Sequence, residues 1–327
     1  MTAVRFIKPN DRFEIRHRRQ AHVDSRLHVF LAVARTGQLT RASRQLNLSA
    51  SAVSTQIMAL ERDLRATLFI RSSRGMTLTP SGKLMFTTAE QMEAVWTRTA
   101  REIQAEEQGA ARLNIAASHT AAELFLPQPL GRFRAKWPDT RLHLVITNSQ
   151  MVADRVTTGQ ADLGIIEGSR SPEELSSEAL WTDELILVVS TRHPWASQGS
   201  VDASHLPQAD WILREEGSGT RRVFNDALTH AGFSESDLSV MMELDSLRAI
   251  IAMVANNVGV SVMSRETVDS EEIRVRGVAA LSIRGLNLTR QLKAIFPISH
   301  QAPRTGHLLA DLREDVLIRR QRVRQDS

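Results

Sequence analysis

Residues 40–64 read TRASRQLNLSASAVSTQIMALERDL. The second half of this stretch has the pattern of a helix with one apolar face, because Val53, Ile57, Leu60 and Leu64 follow one another at intervals of 4, 3 and 4 residues. The stretch also carries four serines and two threonines, whose hydroxyls compete for backbone hydrogen bonds and disfavour helix interiors. Helix stability does not explain these hydroxyls, so another requirement must account for them.

The stretch is predicted to contribute the second and third helices of a three-helix unit. An apolar run at 27–33 predicts a first helix that ends near Gly37. A second helix is expected over about 40–46 and a third over about 51–64, joined by the tight turn Asn47-Leu48-Ser49. Two short helices joined in this way are typical of a helix-turn-helix.

Hydroxyl groups on the outward face of the third helix are suited to DNA. Short side chains let the helix approach closely, and hydroxyls donate to phosphates and to base edges in the major groove. Ser49 and Ser51 would also serve as helix caps, and for Ser49 alone capping is the favoured interpretation. The predicted DNA contacts of these helices are Thr40, Arg41, Ser49, Ser51, Ser54, Thr55 and Gln56.

A hairpin with a basic tip is predicted directly after the third helix. In LFIRSSRGMTLTPSG (68–82), two short apolar runs flank the sequence Arg71-Ser72-Ser73-Arg74-Gly75. Beside a helix-turn-helix, such a hairpin would be a wing on the phosphate backbone, with contacts from Arg71, Ser73 and Arg74. A solvated loop is the alternative, and the two arginines at the tip make it the weaker one.

The charge distribution agrees with a DNA-binding front end. Residues 1–100 carry 16 Lys and Arg against 7 Asp and Glu, whereas the rest of the 327-residue chain carries 25 against 30. A basic segment on an acidic body favours nucleic acid as a partner, although a solvated basic face would look the same. The chain has no cysteine, no secretory signal and no stretch that would span a membrane, which fits a cytoplasmic protein.

The whole segment LHVFLAVARTGQLTRASRQLNLSASAVSTQIMALERDLRATLFIRSSRGMTLTPSG (27–82) resembles, without a gap, the amino-terminal domain of LysR-type transcriptional regulators. The resemblance implies a winged helix-turn-helix, assigned here to residues 24–82. Ala50 stands where the family commonly has Gln or Pro, so a usual base-reading side chain is missing. Arg65 stands where the family usually has Gly, so the helix end is expected to differ. Residues 1–23 precede the usual start of the family. Three interpretations of them are open: a basic DNA-binding arm, a disordered tail or the product of a misassigned start codon.

A long linker helix is predicted from Thr79-Pro80 to about Glu107, with Thr79 as the cap and Pro80 as the first helical residue. Its apolar positions form a heptad seam, which favours pairing with a second copy. Docking of the helix against its own domain remains the alternative. The family resemblance implies a homodimer or homotetramer, with residues 83–110 as the linker and dimerisation segment. The seam comprises Leu78, Met85, Ala89, Met92, Trp96, Thr99 and Ile103.

The remaining residues, 111–327, alternate between strand and helix patterns and are predicted to form an α/β fold. Helices are expected over about 121–136 and 149–158, and a terminal helix over 303–320 before a basic tail, RRQRVRQ. This part resembles the family's effector domain, which shares its fold with type 2 periplasmic binding proteins. The resemblance implies a cleft between two subdomains, roughly 112–187 with 291–327 and roughly 188–290. The predicted strands are 112–118, 141–147, 161–168, 184–190, 210–214, 240–244, 259–264 and 291–298.

A site for a small anion is predicted at the strand ends of this body. Ligands in such sheets lie at strand carboxyl ends and helix amino ends, where free N–H groups favour anions. The turn in REEGSGTRR (214–222) has glycines for a tight bend and hydroxyls for an oxyanion, and in this position it resembles the regulators of sulfur assimilation and carbon fixation. It lacks the lysine and the spacing of a nucleotide-binding loop. The predicted effector contacts are Ser118, His119, Thr120, Asn148, Ser149, Glu167, Gly217, Ser218, Gly219, Thr220, Arg221 and Ser246.

The sequence gives little support for catalysis or metal binding. The ten histidines show no metal-ligand spacing, no nucleophile elbow is present, and no cofactor is expected. His119 has two equally supported roles, as a ligand contact or as a strand cap. The sequence therefore predicts a regulator that binds double-stranded DNA under the control of a small anionic effector. A solute-binding protein and an enzyme with a DNA-binding appendage are the alternatives.

Overall fold

The computed structural model describes residues 25–72, 75–107, 111–168, 171–269, 277–298 and 303–325. The chain divides into two compact units, residues 1–96 and 97–327, and the boundary falls inside a long helix. The predicted extension 1–23 and the predicted DNA contacts Ser73 and Arg74 lie outside the described residues.

Three helices form the core of the first unit, as predicted. The turn before the third helix has Asn47 in the left-handed conformation, with a φ of 54°. Val53, Ile57 and Leu60 are buried in the shared core. The inward position predicted for Leu64 is wrong, since this residue is 45% exposed at the very end of its helix. The helices are α1 (Ser25–Thr36), α2 (Leu39–Leu46) and α3 (Ala50–Leu64).

The predicted hairpin is present as strands β1 (Phe69–Ser72) and β2 (Gly75–Leu78), paired antiparallel. Its position depends on Gly75, which has a φ of 129°. A Cβ atom at Gly75 would lie 2.4 Å from the carbonyl oxygen of Gly37, so only glycine fits there. The N–H of Met76 donates to the same carbonyl at 2.8 Å and ties the hairpin to the end of α1.

The long linker helix is α4 (Pro80–Glu107). Thr79 caps it, because its hydroxyl accepts the N–H of Gly82 at 2.9 Å. The first part of the predicted seam packs on the core of the first unit through Met85 and Ala89. Later seam residues are exposed, among them Met92 (40%), Trp96 (40%) and Ile103 (54%). Docking against its own domain therefore applies to the first part of this helix, and pairing of the later part with a second copy stays a prediction.

An ion-pair cluster holds α1 against α4 within the first unit. Arg35 of α1 donates to Glu93 at 2.9 Å and to Glu90 at 3.3 Å, and His28 lies 3.9 Å from Glu93. The nearby imidazole of His28 and the guanidinium of Arg35 outweigh burial and lower the pKa of the Glu93 carboxyl from 4.5 to about 2.

Glu93→Gln should therefore reduce the stability of the first unit at neutral pH by about 1–2 kcal/mol. The folded pKa is depressed, so the contribution is complete above pH 4.5 and disappears as the pH falls toward 2. Urea unfolding of the variant and the wild type at several pH values would measure this. Asp63→Asn is the control, because Asp63 is 56% exposed against 22% for Glu93, so the loss should be smaller. A stability difference that stayed constant from pH 7 to pH 3 would contradict this account.

The second unit is built on an eight-stranded mixed sheet with the order β4-β3-β5-β12-β6-β11-β7, and β10 pairs with β6. The parallel strands β8 and β9 form a separate pair. The strands are β3 (Arg112–Ser118), β4 (Arg141–Thr147), β5 (Leu163–Glu167), β6 (Leu175–Ser190), β7 (Ser200–Asp202), β8 (Asp210–Arg214), β9 (Ser239–Leu244), β10 (Ser261–Ser264), β11 (Val278–Arg284) and β12 (Thr289–Pro297).

Helices connect and cover these strands. A π-helical turn at Ala121–Phe125 precedes α5, and 3₁₀ turns occur at Ala203–Gln208 and Glu235–Asp237. None of the described helices is long and apolar enough to cross a membrane. The α-helices are α5 (Pro127–Lys136), α6 (Ser149–Thr157), α7 (Gly219–His230), α8 (Leu247–Ala255), α9 (Arg265–Asp269) and α10 (Pro303–Gln325).

Two long antiparallel strands, β6 and β12, pass through both halves of the second unit. One set of apolar clusters includes Leu180, Trp181 and Leu292, and the other begins on β6 with Leu185. The predicted two-subdomain arrangement is confirmed, but β6 changes subdomain near residue 183, before the predicted boundary at 187. A register shift at Leu292/Lys293 marks the same region on β12.

Several predicted elements have different bounds in the structure. β6 begins nine residues earlier than predicted, and β7 and β11 were not predicted. β4 is only partly buried, because it is an edge strand that pairs with β3 alone. The helix predicted over 121–136 is broken at Leu126, before Pro127. The terminal helix continues through the basic tail to Gln325.

Candidate functional site

The hydroxyl groups of α3 form an exposed face on the first unit. Ser49 caps the helix by accepting the N–H of Ala52 at 3.1 Å, and its hydroxyl lies 2.9 Å from that of Ser51. The Thr55 hydroxyl donates to the carbonyl of Ser51 at 2.9 Å. Ser49, Ser51 and Thr55 are all exposed. Ser49 therefore has the capping role, and its hydroxyl still faces solvent beside Ser51.

The wing and α3 are joined by a hydrogen bond. Arg71 of β1 donates from Nη2 to the Ser54 hydroxyl at 3.0 Å. Arg71 is exposed and Ser54 half-buried, so the guanidinium lies along the edge of the α3 face. Thr40 and Arg41 are exposed on α2. The structure thus brings a basic side chain of the wing to the predicted recognition surface.

Three positions of α3 differ from the expected surface. Gln56 is half-buried, and its Oε1 is buried without a hydrogen-bond partner among the described residues. Ala50 is exposed at the first position of the helix and presents only a methyl group. Arg65 ends the helix with a φ of 52°, the left-handed conformation that glycine adopts most readily. The helix end is preserved despite the arginine.

In the second unit, the glycine turn before α7 packs tightly on the ends of two other elements. A Cβ atom at Gly219 would lie 2.6 Å from Cβ of Glu167 and 2.7 Å from the Ser149 hydroxyl. At Gly217, a Cβ atom would lie 3.1 Å from the side chain of Asn148. The carbonyl of Gly217 accepts the N–H of Gln150 at 3.2 Å. The predicted residues of β5, α6 and this turn are therefore in contact.

A buried ion-pair network lies at the centre of this contact. The guanidinium of Arg290, fully buried, donates to Glu167 and to Asp183, and the distance to Asp183 is 2.7 Å. It also donates to the Thr220 hydroxyl at 2.8 Å and to that of Thr120 at 3.4 Å. Asp183 additionally accepts a hydrogen bond from the Ser264 hydroxyl at 2.8 Å. The network, defined here as the Arg290 network, joins residues from both subdomains.

The Glu167 carboxylate lies among several hydroxyls. The Thr220 hydroxyl donates to it at 3.1 Å, and the hydroxyls of Ser118 and Thr120 lie near enough to stabilise its charged form. Burial acts to raise the pKa of the Glu167 carboxyl, but the charge of Arg290 and these hydroxyls outweigh burial and hold the pKa below its usual value. Three predicted effector hydroxyls therefore surround a carboxylate of the chain itself.

Other predicted effector residues have different surroundings. Nδ1 of His119 lies 3.3 Å from Nη2 of Arg214, whose other donors pair with Glu215. Because arginine only donates, Nδ1 of His119 is the acceptor, and its Nε2 carries the proton. Asn148 caps α6 by accepting the N–H of Met151 at 2.9 Å. Ser218 is buried beside the amino end of α7.

Arg221 and Ser246 do not join the others. The guanidinium of Arg221 pairs with Glu235 and Glu243, each at 2.5 Å, and donates to the carbonyl of Arg214 at 3.0 Å. These contacts fasten α7 to its own subdomain and occupy most of its donors. Ser246 is exposed and caps α8 by accepting the N–H of Ala249 at 3.3 Å.

A half-open cavity of about 650 Å³ lies elsewhere in the second unit. It is lined by the carboxyl-terminal half of α7, with Asp226 and His230, and by the connection between β11 and β12, with Asn287. Arg290 borders it, but none of the twelve predicted effector residues does. The predicted residues are packed against one another at the strand ends instead.

Two family models match the chain and together cover both units. Residues 25–83 match the bacterial regulatory helix-turn-helix protein of the lysR family, and residues 106–316 match the LysR substrate binding domain. The chain belongs to the LysR family of transcriptional regulators. Its fold, with a helix-turn-helix domain followed by a substrate-binding domain, is the fold expected from the sequence.

Individual relatives within the LysR family agree with this assignment. The chain is 32% identical over 270 residues to the HTH-type transcriptional regulator CysL of Bacillus subtilis, which covers 82% of this chain and 89% of CysL. The regulatory domain of Synechocystis PCC6803 CcmR, solved in complex with 2-PG, is 27% identical with a TM-score of 0.56, over 62% of this chain and 96% of that domain. Full-length CbnR complexed with its target DNA shares the fold, at 20% identity and a TM-score of 0.51, over 89% and 98% of the two chains.

Sequence reasoning missed Arg290 and Asp183. The predicted ligand contacts were all placed at the carboxyl ends of strands or the amino ends of helices, but Arg290 is near the amino end of β12. Because β12 runs antiparallel to β5, with Leu292 opposite Glu167, its amino end lies beside the carboxyl end of β5. Charged residues inside the otherwise apolar strand segments TDELILVVS and TRQLKAIF were the available signal.

Proposed function

We propose that the exposed face of α3 reads operator DNA in the major groove while the wing holds the phosphate backbone. The observation that carries this proposal is the hydrogen bond between Arg71 and Ser54, which joins a basic wing residue to the recognition face. Ser51 and Thr55 would contact base edges or phosphates, and Thr40 and Arg41 the flanking backbone. Ser73 and Arg74 are proposed as further wing contacts from the sequence alone.

The regulator is proposed to act as a homodimer or homotetramer, with two copies joined through α4. An exposed stripe that includes Met92, Trp96 and Ile103 is the support for this, because large apolar side chains on one helix face favour a partner surface. A dimer would place two recognition helices on a two-fold operator.

A small anionic metabolite is proposed as the effector, bound where the amino end of α7 meets the ends of β3 and β5. This site is supported by the hydroxyls gathered there and by the proton on Nε2 of His119. It is also supported by the likeness to CcmR, whose regulatory domain was solved with 2-PG. The effector would change the relation between the subdomains and, through the linker helices, the spacing or bending of the DNA. Sulfur assimilation and carbon fixation are the proposed regulatory context.

The chain is proposed to catalyse no reaction, since the family to which it belongs is one of transcriptional regulators. It is proposed to work in the cytoplasm, where its DNA partner is. A solute-binding protein without a regulatory role is the weaker alternative, because a helix-turn-helix domain would have no purpose in it.

The proposal is tested by titrating the full chain with the intergenic DNA upstream of its own gene, with and without sulfite, sulfate, phosphate and carboxylates. Binding well above that to random DNA, altered by one of these anions, is the expected result. Equal affinity for intergenic and random DNA, with every anion, would refute the proposal.

Arg71→Glu is the variant to include in that titration. Loss of one phosphate contact and gain of a negative charge should weaken binding to all sequences alike, and the slope of log K against log salt should fall by about 1. Arg313→Glu, an equal charge change at an exposed ion pair of α10, is the control. An unchanged slope would remove Arg71 from the phosphate contacts.

A further inference from the structure

The Glu167 carboxylate has the surroundings of a bound anion. The groups around it come from different elements, with Ser118 and Thr120 at the end of β3, and the donors Thr220 at the start of α7 and Arg290 on β12. Hydroxyls and a guanidinium that converge at strand ends and a helix amino end are the groups that hold carboxylates and oxyanions in binding sites. The chain supplies that carboxylate itself.

The hydrogen-bond donors at this position are already used by Glu167, so an external anion cannot bind them at the same time. Each hydroxyl carries a single hydrogen, and the hydrogen of Thr220 is directed at Glu167 at 3.1 Å. The pair Glu167 and Asp183 already exceeds the charge of Arg290 by one negative unit. Adding a further anion beside them in a buried site would increase the repulsion, whereas exchanging it for Glu167 would leave the local charge unchanged.

We propose that Glu167 is the resident occupant of the anion-binding position, and that an anionic effector acts by displacing its carboxylate from Thr220, Thr120 and Ser118. The inference rests on the proposed anionic effector. Arg290 stays balanced during the exchange, because Asp183 holds it at 2.7 Å and is itself held by Ser264. Glu167 is followed by Gly168, whose φ of 106° belongs to glycine alone and allows the chain to turn there.

The exchange would alter the contact between the two subdomains. Glu167 ends β5 in one subdomain, and Thr220 begins α7 in the other, so their hydrogen bond crosses from one to the other. An effector in place of Glu167 would retain Thr220 but release β5 from it. The Glu167 carboxylate therefore defines the conformation of the protein without effector. An effector must bind these donors more favourably than the carboxylate that the chain itself holds there.

The test is to remove the resident group and return it as a free molecule. Glu167→Ala deletes the atoms of one acetate ion and leaves Cβ in place. In the full chain, sodium acetate should raise the melting temperature of the second unit of this variant, by about 3 °C or more once acetate exceeds its dissociation constant about tenfold. Equal concentrations of sodium chloride and of acetamide, the uncharged analogue, should have little effect.

Glu167→Gln is the matched control. It removes the charge but fills the same volume, so acetate should not stabilise it beyond the wild type. Stabilisation of the alanine variant by acetate alone supports the inference. Equal effects of acetate on the alanine variant, the glutamine variant and the wild type would overturn it. If the alanine variant does not fold in chloride, its recovery on refolding in acetate decides the matter, and recovery in neither salt overturns the inference.

The titration with intergenic DNA, compared with the acetate experiment, shows whether this inference or the proposed function has failed. If the wild type responds to an anion on DNA but acetate does not stabilise the alanine variant, the role of Glu167 is wrong and the proposed function stands. If acetate stabilises the alanine variant but no anion changes DNA binding by either protein, the anion position stands and effector control of DNA binding is wrong.

Discussion

Arg290→Met should lower the free energy of unfolding of the second unit by about 3–5 kcal/mol. Arg290 is fully buried, and its replacement leaves the carboxylates of Glu167 and Asp183 in the interior without their cation. For a unit of this size, the loss corresponds to a decrease in melting temperature of about 6–20 °C. Differential scanning calorimetry of the full chain, with separate transitions assigned to the two units, would measure it.

The pH dependence of this loss identifies its cause. In the wild type, Arg290 and the surrounding hydroxyls keep the pKa of Glu167 below its usual value. Without the arginine, burial dominates and the pKa should rise, so the variant is penalised most where the unfolded carboxyl is ionised. The stability difference between the two proteins should therefore be largest near neutral pH and should shrink as the pH falls toward 4.

Arg313→Met is the control for arginine removal, because Arg313 pairs with Glu178 at 2.7 Å but is 57% exposed. Its effect should stay below about 1 kcal/mol. The double variant Arg290→Met with Glu167→Gln should lose less than the sum of the single variants, since the second change removes one uncompensated charge. Additive losses and a stability difference independent of pH would show that Arg290 acts through packing alone.

The parts of the fold that were predictable are those encoded by local patterns. Spacing of Val53, Ile57 and Leu60 predicted α3, and the two runs around Arg71 predicted the wing. Leu64 has the same spacing but lies at the helix end, beyond the core, so periodicity alone placed it wrongly. A local pattern determines which face a residue occupies, but the extent of the core depends on the packing of other elements.

The strand errors have a related cause. The first part of β6, LSSEALWTD (175–183), mixes buried, half-buried and exposed positions without a regular alternation, and its polar members concealed it. Short β7 and half-exposed β11 are strands only because they pair with each other and, for β11, with β6. Such elements depend on partners that are distant in sequence.

The location of the candidate effector site was predictable from the sequence, but its occupation by a buried ion pair was not. Strand ends and the glycine turn located Ser118, Thr120 and Thr220 correctly as neighbours of Glu167. Whether those hydroxyls face a free cleft depends on Arg290, which reaches them because β12 runs antiparallel to β5. Strand direction was not evident from the sequence, so the buried ion pair that fills this position was not foreseen.

Ser54→Glu combined with Thr55→Glu should reduce operator affinity by at least about 100-fold. Both changes put a carboxylate on the face proposed to meet DNA, where the phosphates repel it. The change at Ser54 also offers Arg71 an ion-pair partner in place of a hydroxyl at 3.0 Å, which would hold this guanidinium away from the backbone. Fluorescence anisotropy with labelled operator DNA would measure the loss.

Thr87→Glu combined with Gln91→Glu is the matched control. These residues are exposed on α4, away from the apolar seam, and the variant adds the same charge to the same unit. It should lose only the affinity that net charge explains, a difference that disappears at high salt. The core of the first unit is untouched in both variants, so their unfolding curves should resemble that of the wild type. Equal losses in the two variants would show that α3 is not the recognition helix.

A comparison of operators with one and with two half-sites extends this test to the proposed dimer. If the exposed stripe of α4 joins two copies, each copy brings its own α3 to the DNA, and the double substitution is present twice in every complex. The loss of affinity should then be much greater on two half-sites than on one, because both contacts must form together. A chain that binds DNA singly would show the same loss on both duplexes, and α4 would then need another partner for its exposed apolar side chains.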